Sequence, residues 1–295
     1  MRLFVVAPYV GEFGWEVISW EPLVRRAWMD GGLYDRAIVF SGPGRRLLYP
    51  WANEVRTLPD IPVHEAECLL WHDWDEEKKN IVNDLIKRAV DEVMAEYPPK
   101  INQADVFSYG CLQKYNDQMY ARGEPDLLQG DGIELLPESE RGCVVLCVRD
   151  RSMSEYRNWR IEKWCELASL IEAAGYKAVV IGKVRDQDAW NHALLSTGAF
   201  DLINLTTVDD LIRIFSSDRC KLAIGGNTGT IHLASRCALP HLVWGGEKVV
   251  IRVAETNWFG APHHVMMVGW NPKPESVAEK AVKFLETGSW EKKDA

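Results

Sequence analysis

Short, continuous apolar runs alternate with helix-period patterns along this chain, and that alternation constrains the fold more than any other feature. RLFVVAP (2–8) and RAIVFSG (36–42) read as strands in the first half. CVVLCVR (143–149), KAVVIG (177–182), CKLAIGG (220–226) and LPHLVWGG (239–246) read as strands in the second, with LINLT at 202–206. Helical spacing falls over 16–30, 75–97, 161–175, 187–196, 208–217 and 274–287. In the first of these Val17, Trp20, Val24, Ala27 and Trp28 share a face. Strands that are apolar at every position belong in parallel sheets covered on both faces. The pattern restarts at Cys143, after a polar stretch (100–140) that reads as loops and a connection. The expectation is an α/β protein of two Rossmann-like domains, 1–135 and 136–295, with the last helix free to pack back on the first.

The 295 residues suit two such domains. No apolar run approaches a membrane span, and the apolar start is short and interrupted by Pro8, so it reads as a buried strand and not a signal peptide. The seven cysteines are odd in number, form no CxxC pair and suggest reduced thiols in a cytoplasmic protein, with no zinc site. The net charge of −9 is uneven: −11 over residues 1–140 and +2 over the rest. An anionic small ligand suits the second half. So acidic a chain disfavours a nucleic-acid partner, leaving only a local basic patch as a route to one.

Three segments carry chemistry. In AIGGNTGTIHLAS (223–235) a buried strand runs into a helix through glycines and small polar residues. A helix start beyond a parallel strand offers unpaired N–H groups and the positive end of a dipole. Gly225, Gly226 and Gly229 would admit a phosphate to the backbone, and Asn227, Thr228 and Thr230 would add donors or cap the helix. A tight, well-capped turn would use the same residues, and neither a Walker loop nor GxGxxG is present. The second segment, VRDRSMSEYRNWRIEKW (148–164), carries Arg149, Arg151, Arg157 and Arg160 just past a strand. Guanidinium forks match phosphate oxygens. Two anion features on one sheet edge point to a nucleoside diphosphate. The third, PYVGEFGWEVISWEP (8–22), places Glu12 and Glu16 between the first strand and a helix. Either could act as general base toward an acceptor hydroxyl if the two domains face each other; Glu16 could equally complement a helix dipole, and Glu12 could be a solvated loop acid.

The second half resembles the GT-B glycosyltransferases, and within them the ADP-heptose:lipopolysaccharide heptosyltransferases (family 9). GGNTGTIHLASRCALPHLVWGG is similar to that family's D-T-G-x-x-H-L-A-A-A-x-x-x-P segment, with Thr228, Gly229, His232, Leu233, Ala234 and Pro240 in place. RNWRIEKWCELASLI is similar to its K-x-W-P-x-x-x-W-x-x-L stretch through Arg157, Trp159, Trp164 and Leu167. The amino terminus resembles its G-D-x-x-x-x-x-P loop; counting back from Pro22 selects Glu16, while the Gly-acid pair selects Glu12. Asn227 replaces the family's Asp, Arg157 its Lys, and Arg160 the Pro. The resemblance covers about 140–245 and, thinly, 1–30.

What this resemblance implies is two parallel sheets facing across a cleft. It implies an inverting, metal-independent transferase with no cofactor, taking a nucleotide-diphosphate sugar as donor. The donor would be held by Arg149, Arg151, Arg157, Lys183, Asn227, Thr228, Gly229 and Thr230. The acceptor would be a glycan, a lipopolysaccharide or a phage-type hydroxymethylated DNA base. Base and ribose contacts are expected from loops around 182–186 and 244–248. DWD (73–75) spells the metal motif of the other glycosyltransferase fold but sits where a helix N-cap is expected. His232 reads as structural. Trp15, Trp20, Trp28, Trp51, Trp71 and Trp74 include candidates for a sugar-stacking platform. The alternatives are a nucleotide-sugar 2-epimerase of the same architecture, a non-catalytic nucleotide-sugar-binding protein, and a metal-dependent transferase.

Overall fold

The computed structural model describes residues 1–9, 11–32, 34–57, 76–97, 103–107, 126–152, 154–257 and 259–290. The DWD motif, Trp71, Trp74 and the tail at 291–295 lie outside the described residues. The chain divides into two compact units, Met1–Asp126 and Leu127–Ala295. The sequence suggested a boundary at 135; the segment before it belongs to the second unit, where Leu128 N–H donates to the Arg236 carbonyl (3.0 Å) and Gly130 N–H to Ser216 Oγ (2.7 Å).

Unit 1 is a parallel sheet of four strands: β1 (Arg2–Val6), β2 (Arg36–Ser41), β3 (Glu54–Thr57) and β4 (Gln103–Phe107), in the order β3-β2-β1-β4. β1 is central and almost wholly buried. The helical pattern after it is continuous over 13–31 but not uniform. It comprises α1 (Phe13–Trp15), a wide π-helical turn (Glu16–Trp20) and α2 (Glu21–Gly31). Pro22 has no amide to give Ile18 and its ring crowds that carbonyl, and the wide turn falls on these residues. Helix α3 (Glu76–Glu96) follows, with Glu76 and Glu77 in its first turn. Residues 100–140, expected to be loops, contain β4, which pairs in parallel with β1. A five-residue edge strand is too short to show a period.

Unit 2 is a parallel sheet of six strands. Its strands are β5 (Cys143–Arg149), β6 (Lys177–Lys183), β7 (Phe200–Asp201), β8 (Cys220–Gly226), β9 (His241–Trp244) and β10 (His263–Met266). Their order is β10-β9-β8-β5-β6-β7. The crossing helices are α4 (Ile161–Ala173), α5 (Gln187–Leu194), α6 (Val208–Ser216), α7 (Gly229–Arg236), α8 (Glu247–Glu255) and α9 (Pro274–Thr287). A Thr207–Asp210 capping box starts α6. Val277, Ala278, Ala281 and Phe284 place α9 in this unit's core with Trp164, Leu167 and Ile171 of α4. The strand expected at 202–206 is a turn, preceded by the two-residue β7, and α8 and β10 were not anticipated.

Gly182 shows how tightly β5 and β6 meet. Its φ is +139°, and an added Cβ would lie 2.4 Å from the Val148 carbonyl oxygen. Gly182→Ala is expected to cost more than about 1 kcal/mol, seen as a lower urea midpoint with an unchanged slope.

Candidate functional site

The strand order of unit 2 marks where a ligand site is expected. From β5 the chain builds outward through β6 and β7, then returns to the other side for β8, β9 and β10. The order therefore reverses between β5 and β8. Open α/β sheets bind ligands beyond the carboxyl ends of the strands at such a switch point. The loops leaving β5 and β8 there are the arginine-rich segment and the Asn-Thr-Gly-Thr segment.

The arginine loop is built around Asn158, which the sequence did not single out. Its Nδ2 donates to the Arg151 carbonyl (2.8 Å), and its Oδ1 accepts from Arg151 N–H (3.3 Å) and from Arg149 Nη1. Arg149 is buried and also donates to the Ser154 carbonyl (3.2 Å), so it braces the loop from within. Trp159 anchors the far end: it is buried against Trp164 and Trp244, with ring centroids 5.1 and 4.8 Å away. Arg157, half-buried on the 3-10 turn Glu155–Arg157, reaches across to β8, where its Nη2 donates to the Asn227 carbonyl. The two anion features of the sequence are thus joined by one guanidinium.

On the β8 side, Asn227 N–H donates to the Trp244 carbonyl (3.2 Å), fixing the loop to β9. Thr228 occupies the N-cap of α7 with extended backbone, but its side chain makes no capping bond. Thr228 Oγ1 and Asn227 Oδ1 are buried and have no hydrogen-bond partner among the described residues. Unpaired buried polar atoms cost about 1–3 kcal/mol each, so a ligand is the natural partner. Gly229 and Thr230 supply first-turn amides that no intrahelical bond reaches, at the positive end of the helix. Gly225 serves the sheet: an added Cβ would sit 3.0 Å from Cys147 Cβ and 3.1 Å from its carbonyl oxygen. The expectation that it opens the backbone to a phosphate is therefore replaced by a packing reason.

Lys183 lies beside Arg149 in the β5–β6 register; it is exposed and donates to the Asn204 carbonyl (3.3 Å). Arg185, overlooked in the sequence, clamps Asp150 through Nε (3.0 Å) and Nη2 (2.7 Å), and Glu155 through Nη1 (2.8 Å). Of the loop expected at 244–248, residues from Glu247 onward belong to α8. His232 is buried inside α7 with Nδ1 3.0 Å from Thr256 Oγ1. Burial, with Arg252 and His241 nearby, pushes its pKa down to about 3, so it is neutral at physiological pH.

In unit 1 the strand order reverses between β1 and β4, and Glu12 and Glu16 follow β1. They differ sharply. Glu16 is fully buried on the π-helical turn, accepting from Arg45 Nη1 and from the Tyr49 hydroxyl (2.8 Å). Burial raises its pKa, while Arg45 and Tyr49 pull it down. Glu12 is half-buried at the N-cap of α1, its carbonyl accepting from Tyr9 Oη (3.2 Å) and Trp15 N–H (2.9 Å). Among the tryptophans proposed for stacking, Trp20 is core, and Trp28 and Trp51 stack at 6.4 Å, with Trp51 Nε1 donating to Glu21 (2.8 Å). Trp15 is half-buried.

A groove of about 800 Å³ opens elsewhere on unit 2, lined by residues including Leu128, Gly130, Ser217, Cys220 and Leu239. It lies at the amino end of β8, away from the loops described above, and its cations are already engaged: Arg213 with Asp131 and Asp210, Arg219 with Glu134 and the Leu136 carbonyl, and Lys221 with the Asp218 carbonyl. Among the described residues no group of three or more His, Cys, Asp or Glu could hold a metal ion, and no helix is long and apolar enough to cross a membrane.

No protein-family model matches the chain, and no curated protein matches its sequence. Solved structures do match its backbone. The glycosyl transferase family 9 from Veillonella parvula DSM 2008 is 10% identical with a TM-score of 0.54, over 99% of this chain and 90% of that one. E. coli ADP-heptose lps heptosyltransferase II is 18% identical with a TM-score of 0.56, over 98% and 99%. E. coli heptosyltransferase WaaC with ADP is 12% identical with a TM-score of 0.52, over 98% and 100%. The chain therefore has the two-unit α/β fold of these GT-B glycosyltransferases, as its motifs implied.

Proposed function

We propose that the protein is a glycosyltransferase taking a nucleotide-diphosphate sugar as donor and a hydroxyl as acceptor. The observation that carries this reading is the Arg157 bridge to the Asn227 carbonyl, at a helix start with unpaired polar atoms. In this reading Arg157 and the amides of Gly229 and Thr230 stabilise the diphosphate as it leaves. Asn227 Oδ1 and Thr228 Oγ1 bond to donor groups. Arg149 and Arg151 shape the loop, and Lys183 adds positive charge at the neighbouring strand end.

The chemistry is a single displacement. Glu12 takes the acceptor proton, and the oxygen attacks the sugar C1. The C1–O bond to phosphate breaks, and its electron pair leaves with the diphosphate, giving inversion at C1. Positive charge from Arg157 and the helix start does the work a metal would otherwise do, which makes the reaction metal-independent.

The test is thermal unfolding with ADP, UDP, GDP, CDP and TDP, with and without EDTA. One diphosphate at about 100 times its Kd should raise Tm by roughly 5 °C or more, equally in EDTA. Arg157→Ala should weaken that diphosphate about 100-fold or more, because it removes two or more charge-assisted hydrogen bonds. Arg157→Lys should fall between, keeping the charge but losing the fork. No shift with any of the five, or a shift abolished by EDTA, would overturn the reading.

A further inference from the structure

Trp270 lies on the loop after β10, remote in sequence from both anion loops and outside every motif considered above. The Arg157 Cζ sits 4.4 Å from its ring centroid. The guanidinium is thus held in two ways, by the Asn227 carbonyl at its edge and by an indole at its face. The indole is itself fixed. Lys163 Nζ donates to Asn271 Oδ1 (2.7 Å) and to the Pro272 carbonyl (3.1 Å), tying the loop to α4. Gly269 turns the chain with φ +76°, and the Tyr156 ring meets Trp270 edge-on at 6.4 Å. Trp159, Trp164 and Trp244 are buried in the core; Trp270 is half-exposed and outside it. Its distinctive contact is with the arginine.

We infer that Trp270 is a positioning residue for Arg157, setting the guanidinium so that diphosphate affinity depends on the indole. This rests on the diphosphate reading above. A long, rotamer-rich side chain loses entropy when it grips an anion. An arginine already stacked and hydrogen-bonded has lost that freedom before the ligand arrives, so binding costs less. Stacking also suits Arg over the Lys that the family motif carries at this position.

The test is a double-mutant cycle on the Kd of the nucleoside diphosphate that shifts the wild-type protein, measured by calorimetry. Trp270→Leu should weaken binding about tenfold, with ligand-free Tm within a few degrees of wild type. Trp270→Phe keeps an aromatic face and should stay within about threefold. In the Arg157→Ala background, Trp270→Leu should cost nothing further, because the group it positions is gone. Wild-type affinity in Trp270→Leu would overturn the inference and leave the diphosphate site standing. A full tenfold loss added to Arg157→Ala would overturn it too, since the indole would then act on the ligand directly. If the wild type binds none of ADP, UDP, GDP, CDP and TDP, the diphosphate reading fails, and this inference with it.

Discussion

Glu12→Gln is expected to lower turnover about a thousandfold while leaving diphosphate affinity unchanged, whereas Glu16→Ala is expected to destabilise unit 1. The contrast follows from what surrounds each carboxylate. A general base must come within hydrogen-bond reach of the proton it takes. Glu16 has no exposed surface, and its oxygens already accept from Arg45 and Tyr49. The Tyr49 hydroxyl is pushed well above its ordinary range by burial and by the Glu16 charge, so it remains a donor and keeps Glu16 occupied. Glu16 therefore ties the π-helical turn to the loop after β2. Removing it leaves the Arg45 guanidinium, mostly buried, without that partner, at a cost of about 3–5 kcal/mol. Glu12, half-buried on the loop itself, is the carboxylate a substrate can reach. Turnover measured with saturating donor, beside urea unfolding of both variants, separates the roles. Full activity in Glu12→Gln would remove it as the base. A fully stable, inactive Glu16→Ala would move the assignment to Glu16.

This division was not legible in the sequence, where the two glutamates stood as equals. The Gly-acid pair pointed to one and the spacing to Pro22 to the other. What separates them is Arg45 and Tyr49, which lie on a different loop. The same holds for Trp270, whose relation to Arg157 exists only through the sheet order. The strands of the unit 2 core, by contrast, declared themselves, because β5, β6 and β8 lie in the middle of the sheet and need apolar side chains on both faces. The elements that escaped were short or at an edge. EVRT of β3 carries two charges on a sheet-edge strand, and the Arg56 guanidinium pairs with Glu54, Glu92 and Glu96. HHVM of β10 is four residues long. Helix α8 contains Val249, Val250 and Ile251, β-branched residues with low helix propensity. The anion loops were readable because glycines, small polar residues and arginines cluster locally. That Arg157 joins them was not.

Acid should unfold the protein earlier than its carboxylates alone would require, because two histidines are buried in neutral form. Burial pushes His232 down to about 3, with Arg252 and His241 adding to the shift. It pushes His241 down to about 4, against the opposing hydrogen bond to the Leu239 carbonyl and with His263 adding to the depression. In the unfolded chain both titrate near the ordinary value of about 6.5. Between that value and the folded values, the unfolded state binds protons that the folded state does not. Stability is therefore full above about pH 6.5 and falls as pH drops, by about 1.4 kcal/mol per pH unit for each histidine. At pH 5 the loss is about 2 kcal/mol each, or about 4 kcal/mol together, a large share of a typical domain's 5–15 kcal/mol. Glu16 works in the opposite sense, since its raised pKa makes protonation easier in the fold. Urea unfolding at pH 7.5, 6 and 5 would show the slope. His241→Leu should lose some stability at pH 7.5, where the Leu239 carbonyl loses its contact with the ring, yet halve the decline toward pH 5. Its Nε2 is buried without a partner among the described residues, so that part of the ring gives up nothing on replacement. An undiminished slope in His241→Leu would assign the acid sensitivity to other groups and return His241 to a packing role.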